Sequence, residues 1–342
     1  MNSFYLGIDL HLKRTYTVLM DHQGQVIDER RLPNDEMATY LKENVPKDTY
    51  AVLEATRNWP FMYDLLTEHV ERVELAHPKE LKAISAAAVK TDRVDSHTLA
   101  NLARMNYLPI AYAAPSNIRD LRLELRHRDS LVSQRTQAKN RVHAVLASYN
   151  LVSPKSDLFS VSGRQFLDEV MQSSLRPAAV RSIQRDLDLI DYLTEQITGI
   201  KDSIELDPEQ ERMVKILCTM PGIGRLGAVI LLAEIGDVQR FKSPKALCNW
   251  AGLTPRVRSS DRIIRHGHIS KQGPALVRAT MTRAATVASR FSKHWYKIHE
   301  KISLHACRKV AKVAVARRML TVIYFMLKRQ EPYQENYSSR DR

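Results

Sequence analysis

Cysteine is scarce in this chain of 342 residues, with only Cys218, Cys248 and Cys307. Their wide, irregular spacing offers neither a disulfide framework nor a zinc-binding pattern, and it points to a reducing compartment. Long apolar runs are also missing. The longest, Ala228–Ile235 and Met319–Leu327, are too short to cross a bilayer. The N-terminal apolar stretch is interrupted by acidic and polar residues, unlike a signal peptide. There is no internal repeat, and no low-complexity segment precedes the polar tail after Pro332. The expectation is a soluble protein of two or three domains, long enough to bury a sizeable core.

The most telling absence is of acids between residues 251 and 330. That segment holds 18 Lys and Arg against only Asp261 and Glu300, an excess of +16 within a whole-chain charge of +14. Residues 1–250 carry 32 basic and 33 acidic side chains, close to balance. An ordinary soluble basic surface intersperses acids among its bases. A field this one-sided, spread over helices, is the footprint of a polyanion-binding surface and points to nucleic acid.

The apolar pattern divides the chain. Phe4–Asp9, Thr15–Met20 and Gln25–Leu32 read as three strands in a meander, with a turn at Asp21–Gly24. Helices follow from Asn34/Asp35, from Asn58 to about His69, from Pro78, and from Asp92 to about Met105, with strands at Tyr50–Glu54 and Arg72–Ala76 between them. Three hairpin strands followed by alternating helix and strand is the order of a ribonuclease-H-like α/β domain over residues 1–114. Residues 115–205 show long helical periodicity at Arg119–Tyr149 and Pro177–Ile204, like a helical hairpin or coiled coil, joined through the Ser-rich stretch Ser153–Ser162. Residues 206–330 read as an all-α domain with loops at Pro221–Gly224 and Thr254–Gly273, and residues 331–342 as a polar tail.

Four carboxylates stand out in the first domain. Asp9 and Glu54 end apolar runs, so both sit at the C-terminal tips of buried strands. Asp92 and Asp95, three apart, share one face of a helix. Taken singly each has an ordinary reading: Asp9 as a turn cap, Glu54 as the partner of Arg57, Asp92 and Asp95 as acids favoured at a helix N-terminus. Their conjunction in one fold is what a metal-dependent phosphodiester enzyme requires. Hard cations take oxygen ligands, and paired ions can stabilise both the attacking and the leaving oxygen of a phosphoryl transfer.

Two motifs follow. Met220-Pro221-Gly222-Ile223-Gly224 between helices resembles a helix-hairpin-helix, in which Gly222, Gly224 and a helix N-terminus would hold a phosphate without reading sequence. A packed helix–helix turn needs glycine as well. The second motif runs from Gly252-Leu253-Thr254-Pro255 to Ile269-Ser270-Lys271-Gln272-Gly273. It places Ser259 and Ser260 among Arg256, Arg258, Arg262 and Arg265, with His266, His268, Ser270, Lys271 and Arg278 as further candidate nucleic-acid contacts. Guanidinium groups both grip phosphate and stabilise charge at a serine nucleophile. The same residues also suit a phosphate-binding loop in which serine only donates a hydrogen bond.

Gly7-Ile8-Asp9, Leu53-Glu54-Ala55-Thr56, Lys90-Thr91-Asp92-Arg93-Val94-Asp95, Pro221-Gly222-Ile223-Gly224, Gly252-Leu253-Thr254-Pro255 and Ile269–Gly273, in this order, resemble the DEDD-type insertion-sequence transposases, the bridge-RNA-guided recombinases of insertion-sequence family one-hundred-ten. The resemblance covers nearly the whole chain. It implies a RuvC-like domain in which Asp9, Glu54, Asp92 and Asp95 bind Mg²⁺, with Mn²⁺ as the alternative. It implies a C-terminal transposase domain whose serine nucleophile, five residues after Pro255, is Ser260. The family often has Ser-Ser-Gly here, whereas this chain has Ser259-Ser260-Asp261, so Ser259 and Ser270 stay as secondary candidates. Double-stranded DNA at the element ends and target, a structured guide RNA, dimers assembling to tetramers, and a place in the bacterial cytosol and nucleoid are implied as well. Guide pairing would account for the lack of a recognition helix with a readable base code. Two rivals remain. A hydrolytic junction or structure-specific nuclease would use the same acids with water, and a non-catalytic nucleic-acid-binding protein would use the fold alone. A Gly-Ile-Asp strand also opens the sugar-kinase and actin-like ATPases, but their second glycine-rich phosphate loop is absent.

Overall fold

A computed structural model describes residues 2–84, 91–260 and 263–335. The chain forms two compact units, Met1–Ala114 and Pro115–Arg342.

The first unit is built on a six-stranded sheet in the order β3-β2-β1-β4-β5-β6. Strands β1 (Phe4–Leu10), β2 (Arg14–Asp21) and β3 (Val26–Pro33) form the antiparallel meander, while β4 (Thr49–Glu54) and β5 (Arg72–Ala76) add on in parallel. A short β6 (Ile110–Ala111), not expected from the sequence, closes the edge antiparallel to β5. Parallel strands require helical crossovers, which cover both faces. On one face α1 (Met37–Asn44) and α2 (Trp59–His69) bury Met37, Leu41, Met62 and Leu66 against Leu6, Ile8 and Leu53. On the other, α3 (Pro78–Ile84) and α4 (Asp92–Arg104) bury Leu81, Leu99 and Leu102 against Tyr50, Val52 and Ala76. Being covered twice is why Ala51-Val52-Leu53 reads as a continuous apolar run, all of it inaccessible.

The second unit is mainly helical. The long helices α5 (Ser116–Ser148) and α7 (Pro177–Ser203) pack along each other. Ala138, Val142, Ile183, Leu187 and Ile190 line their seam, and α6 (Val161–Ser173) adds Leu167 and Val170. Helix α6 begins within the stretch read as a polar connection, where Ser160 accepts the Gly163 amide as N-cap. The N-terminal end of α5 belongs to a different core. Leu121 and Leu125 are buried with α8 (Pro208–Cys218), α9 (Arg225–Ile235), α10 (Pro244–Trp250), α11 (Ala275–Phe291), α12 (Lys293–Ser303) and α13 (Arg308–Arg329). Arg126 clamps the buried Glu234 of α9 with two bonds of 2.8 Å, and Arg122 donates to the carbonyls of Ala233 and Glu234. So α5 is continuous with the C-terminal core.

The all-α expectation for residues 206–330 is corrected. Residues read as a loop form an antiparallel hairpin, β7 (Pro255–Ser260) and β8 (Ile263–Ile269). Arginine, serine and histidine occupy four of the six positions of β7 and three of the seven of β8, so a sustained apolar alternation that marks a half-buried strand is missing. Among the described residues no helix is long and apolar enough to cross a membrane.

Candidate active site

The first site forms where α4 crosses the sheet. Ile8 of β1 pairs with Leu53 of β4, so Asp9 and Glu54 emerge side by side at the carboxyl ends of neighbouring parallel strands. Helix α4 lies so close over β1 that a Cβ on Gly7 would stand 2.0 Å from the Ser96 carbonyl oxygen and 2.7 Å from the Ala100 amide nitrogen. Only glycine permits that approach. Ser96, fully buried, fixes the crossing point: its Oγ accepts the Asp9 amide at 3.1 Å and donates to the Tyr16 carbonyl at 3.0 Å, joining β1, β2 and α4. Thr91 caps α4 by accepting the Val94 amide, which brings Asp92 and Asp95 into the helix's first turn. The sequence therefore encodes the convergence twice, once in the acids and once in the glycine two residues before the first of them.

The other three acids all act on Asp9. Burial raises the Asp9 carboxyl above its ordinary range; the charge of His11 opposes this, and those of Asp92, Asp95 and Glu54 push the same way as burial. His11, which the sequence reading passed over, bridges the cluster: its Nε2 lies 3.2 Å from an oxygen of Asp9 and 3.2 Å from an oxygen of Asp92. Its loop is pinned by Asn34 and Asn58, whose side-chain amides both donate to the His11 carbonyl. One possible ligand atom each from Asp9, His11 and Asp92 lies within 4.8 Å of the others. The donor set suits a divalent cation: oxygen-rich, with one imidazole, and with negative charge that adds to burial in raising the Asp9 carboxyl. The sequence signal for His11 was available, since it follows Asp9 by two residues where β1 ends.

The second set of candidates lies in the other unit. Ser260 is the last residue of β7 and pairs with Ile263 of β8; Ser259 pairs with Ile264, Arg258 with Arg265 and Val257 with His266. Arg262 and Asp261 lie outside the described residues, as does Lys90 of the first-unit motif. The base of the hairpin is a clasp of the two flanking motifs. Ser270 donates its amide to the Thr254 carbonyl and Lys271 to that of Gly252. Gly273, at φ 75°, passes so near the Trp250 carbonyl that a Cβ would stand 1.9 Å from it. Arg256 is exposed, donates to the Ser270 carbonyl, and with Lys245 and Arg317 lines a cleft of about 1070 Å³ with no acid among the described residues of its wall. His268 and Lys271 are exposed. Arg278 is turned inward: its Nη1 donates to the carbonyls of Ala251, Gln272 and Gly273, so the residue expected on the nucleic-acid surface holds the hairpin's base together. Gly222 and Gly224 lie in the turn between α8 and α9.

Comparison with known proteins points the same way in both units. Residues 6–151 match a family model of DEDD-type transposases of the IS110 class, described as "Transposase", and residues 214–300 match the model described as "Transposase IS116/IS110/IS902 family". The chain is 24% identical to a probable family 20 transposase of Pseudomonas aeruginosa, covering 97% of this chain and 99% of the relative. It is 25% identical to the transposase for insertion sequence element IS1111A of Coxiella burnetii, covering 96% and 90%. It is 24% identical to a pilin gene-inverting protein of Moraxella lacunata, covering 97% and 98%.

Proposed function

We propose that this chain, as a transposase of the IS110 type, cleaves and rejoins DNA strands with the acids of its first unit and a serine of its second. The observation that carries this reading is the convergence of Asp9, Asp92, Asp95 and Glu54 at the end of β1. The sheet order, with an antiparallel meander extended by two parallel strands, supports a ribonuclease-H/RuvC-like assignment for that unit. The pilin gene-inverting relatives support strand exchange over simple cutting.

Asp9, Asp92 and Glu54, with Asp95 and His11 beside them, would hold Mg²⁺ or Mn²⁺. Such a cation supplies positive charge at the scissile phosphate and its leaving oxygen. Ser260 is the nucleophile. Its Oγ forms a bond to phosphorus as the bond to the 3′ oxygen breaks; the serine proton is lost and the departing 3′ oxygen gains one. The products are a phosphoserine–DNA ester and a free 3′-hydroxyl. Attack by a 3′-hydroxyl on that ester reverses the chemistry, so strands rejoin without ATP. The Arg256–Arg265 cluster steadies the phosphate by charge and paired hydrogen bonds. Because acids and serine belong to separate units, a composite site shared between copies of the chain is part of the proposal, with α5 and α7 carrying dimer and tetramer assembly. A structured RNA supplies sequence choice by base pairing.

The test is a denaturing gel of a nicked suicide DNA substrate incubated with protein, guide RNA and Mg²⁺. A protein-linked band lost in Ser260→Ala but kept in Ser259→Ala supports the reading. A band lost instead in Ser259→Ala or Ser270→Ala moves the nucleophile to that residue. Cleavage without any linked band in the wild type replaces serine with water and makes the chain a nuclease.

A further inference from the structure

The turn before α9 opens into a pocket that the acids and the serine leave unused. About 320 Å³ in volume, it is walled by Arg128, Asp129, Val132 and Arg135 of α5, by Gly222–Gly227, and by Thr280 and Arg283 of α11. That is roughly ten water volumes, room for a phosphate group and its solvent. Three arginines against one aspartate leave the pocket lining positively charged.

Among the described residues, Asp129 is the one acid lining the pocket beside these arginines. The Nε of Arg128 is buried and has no hydrogen-bond partner. Arg135 donates to the Thr194 hydroxyl and Arg283 to that of Thr280, neither of which carries charge. Burial holds Arg128 below its ordinary range; Asp129 opposes this, and repulsion from Arg283 and Arg135 adds to it. A buried donor without a partner beside like charges is costly, and an anion in the pocket would relieve both costs.

The two glycines of the turn differ in a way that bears on the occupant. Gly222, at φ 85°, presses on α11, where a Cβ would meet the Ala284 carbonyl oxygen at 2.3 Å; its role is packing. Gly224 has ordinary backbone angles as N-cap of α9 and nothing within 4 Å of the place of its missing side chain. No side chain caps α9. Its first-turn amides have no side-chain cap, and Gly224, Leu226 and Gly227 at this start of the helix line the pocket, at the positive end of the helix dipole.

We infer that this pocket is a phosphodiester-binding site in which Arg128, Arg135 and Arg283 meet the start of α9 on one backbone phosphate. The inference rests on the reading of the chain as a nucleic-acid enzyme and adds a sequence-independent anchor in the second unit. Duplex DNA and a structured RNA share this chemistry, and the test separates them.

The full chain is titrated with a labelled DNA duplex and, separately, with a labelled RNA hairpin across a salt series, as wild type, Arg128→Gln and Arg283→Gln. Loss of one phosphate contact lowers the slope of log affinity against log salt by about 0.7–0.9, with sequence preference unchanged. The probe that shows the drop identifies the occupant. Arg283 is exposed, so its variant reports even where Arg128→Gln fails to fold. Arg181→Gln, on the exposed face of α7, is the charge control. Unchanged slopes on both probes, or an equal drop in Arg181→Gln, overturn the inference. Wild type that forms the serine-linked band with unchanged variant slopes refutes the pocket alone; a slope drop without any linked band refutes the serine reading alone.

Discussion

Gly7→Ala isolates the convergence of the acids from the acids themselves. The added methyl would lie 2.0 Å from the Ser96 carbonyl oxygen, against a closest approach of 3.0 Å that real side chains respect, so α4 must retreat by about 1 Å. The obstructing atom is helix backbone, which no rotamer change can move. Overpacking of this kind costs about 1–3 kcal/mol, or roughly 4–12 °C in melting temperature for a unit of this size. The larger effect falls on chemistry. Asp92 and Asp95 ride on the displaced turn, while metal-ligand distances tolerate only about 0.2 Å. A 1 Å error in placing reacting groups costs roughly 100-fold in rate.

The assay pairs a thermal melt with a Mg²⁺-dependent DNA cleavage time course. Gly199→Ala is the control: its position in α7 has nothing within 4 Å, and the exchange should gain about 0.5–1 kcal/mol from helix propensity without touching cleavage. If Gly7→Ala cleaves at the wild-type rate and melts with it, α4 is not what seats Asp92 and Asp95, and the geometric argument fails.

Asp9→Asn should abolish cleavage yet stabilise the metal-free chain by about 0.5–2 kcal/mol, since it removes a half-buried carboxylate beside three others; a lower melting temperature would refute the repulsion inferred among the acids. The pH dependence follows from the raised Asp9 carboxyl. Its proton is held more tightly folded than unfolded, so its stabilising contribution is complete below the ordinary carboxylate range and is lost as pH rises through the folded value. A cation competes with that proton, so Mg²⁺ affinity measured by calorimetry should strengthen through this window and level off above it; a flat profile, or one that Asp9→Asn leaves unaltered, would assign the binding elsewhere. Arg126→Met strands Glu234, which is 2% exposed, whereas the Arg126 side chain is 59% exposed. Solvent access discounts the loss to roughly 1–3 kcal/mol by denaturant unfolding, and adding Glu234→Leu should recover most of it. Arg278→Ala, which orphans three carbonyls, should lower stability by about 1.5–3 kcal/mol; loss of DNA affinity with an unshifted unfolding midpoint would return Arg278 to the binding surface.

How far the sequence could be read depended on whether a feature was periodic. The meander, β4 and β5 carry apolar runs that end in turn residues, and the elements appear within a residue or two of where the pattern puts them. The acids could be recognised because Asp9 and Glu54 end such runs and Asp92 starts an amphipathic helix. What could not be read was the approach distance. Gly7 looks like any strand glycine until α4 is seen to lie across it. His11 was missed because it lies outside a strand, and its position is set by Asn34 and Asn58, 23 and 47 residues away. Short elements failed for a different reason. β6 has two residues and carries no period, and the β7–β8 hairpin has the composition of a phosphate-binding loop.

That last failure bears on how the proposed serine nucleophile would work. A two-stranded hairpin is only marginally stable by itself in water, so its register has to be held from its ends. At the base the hold is explicit: Ser270 bonds to Thr254, Lys271 to Gly252, and Arg278 to three carbonyls. The Leu-Thr-Pro and Ser-Lys-Gln-Gly motifs, which the sequence suggested as chemistry, therefore do much of their work as the clasp of a lever whose far end is Ser260. At about 3.3 Å per residue, five residues of strand place that end roughly 17 Å from Pro255. A nucleophile held at such a distance from its support gains precision only when something grips the tip. In the proposed reading, the phosphate backbone of the bound DNA is suited to that role. The serine would then be ordered by the substrate it attacks, and reactivity would be confined to the DNA-bound state.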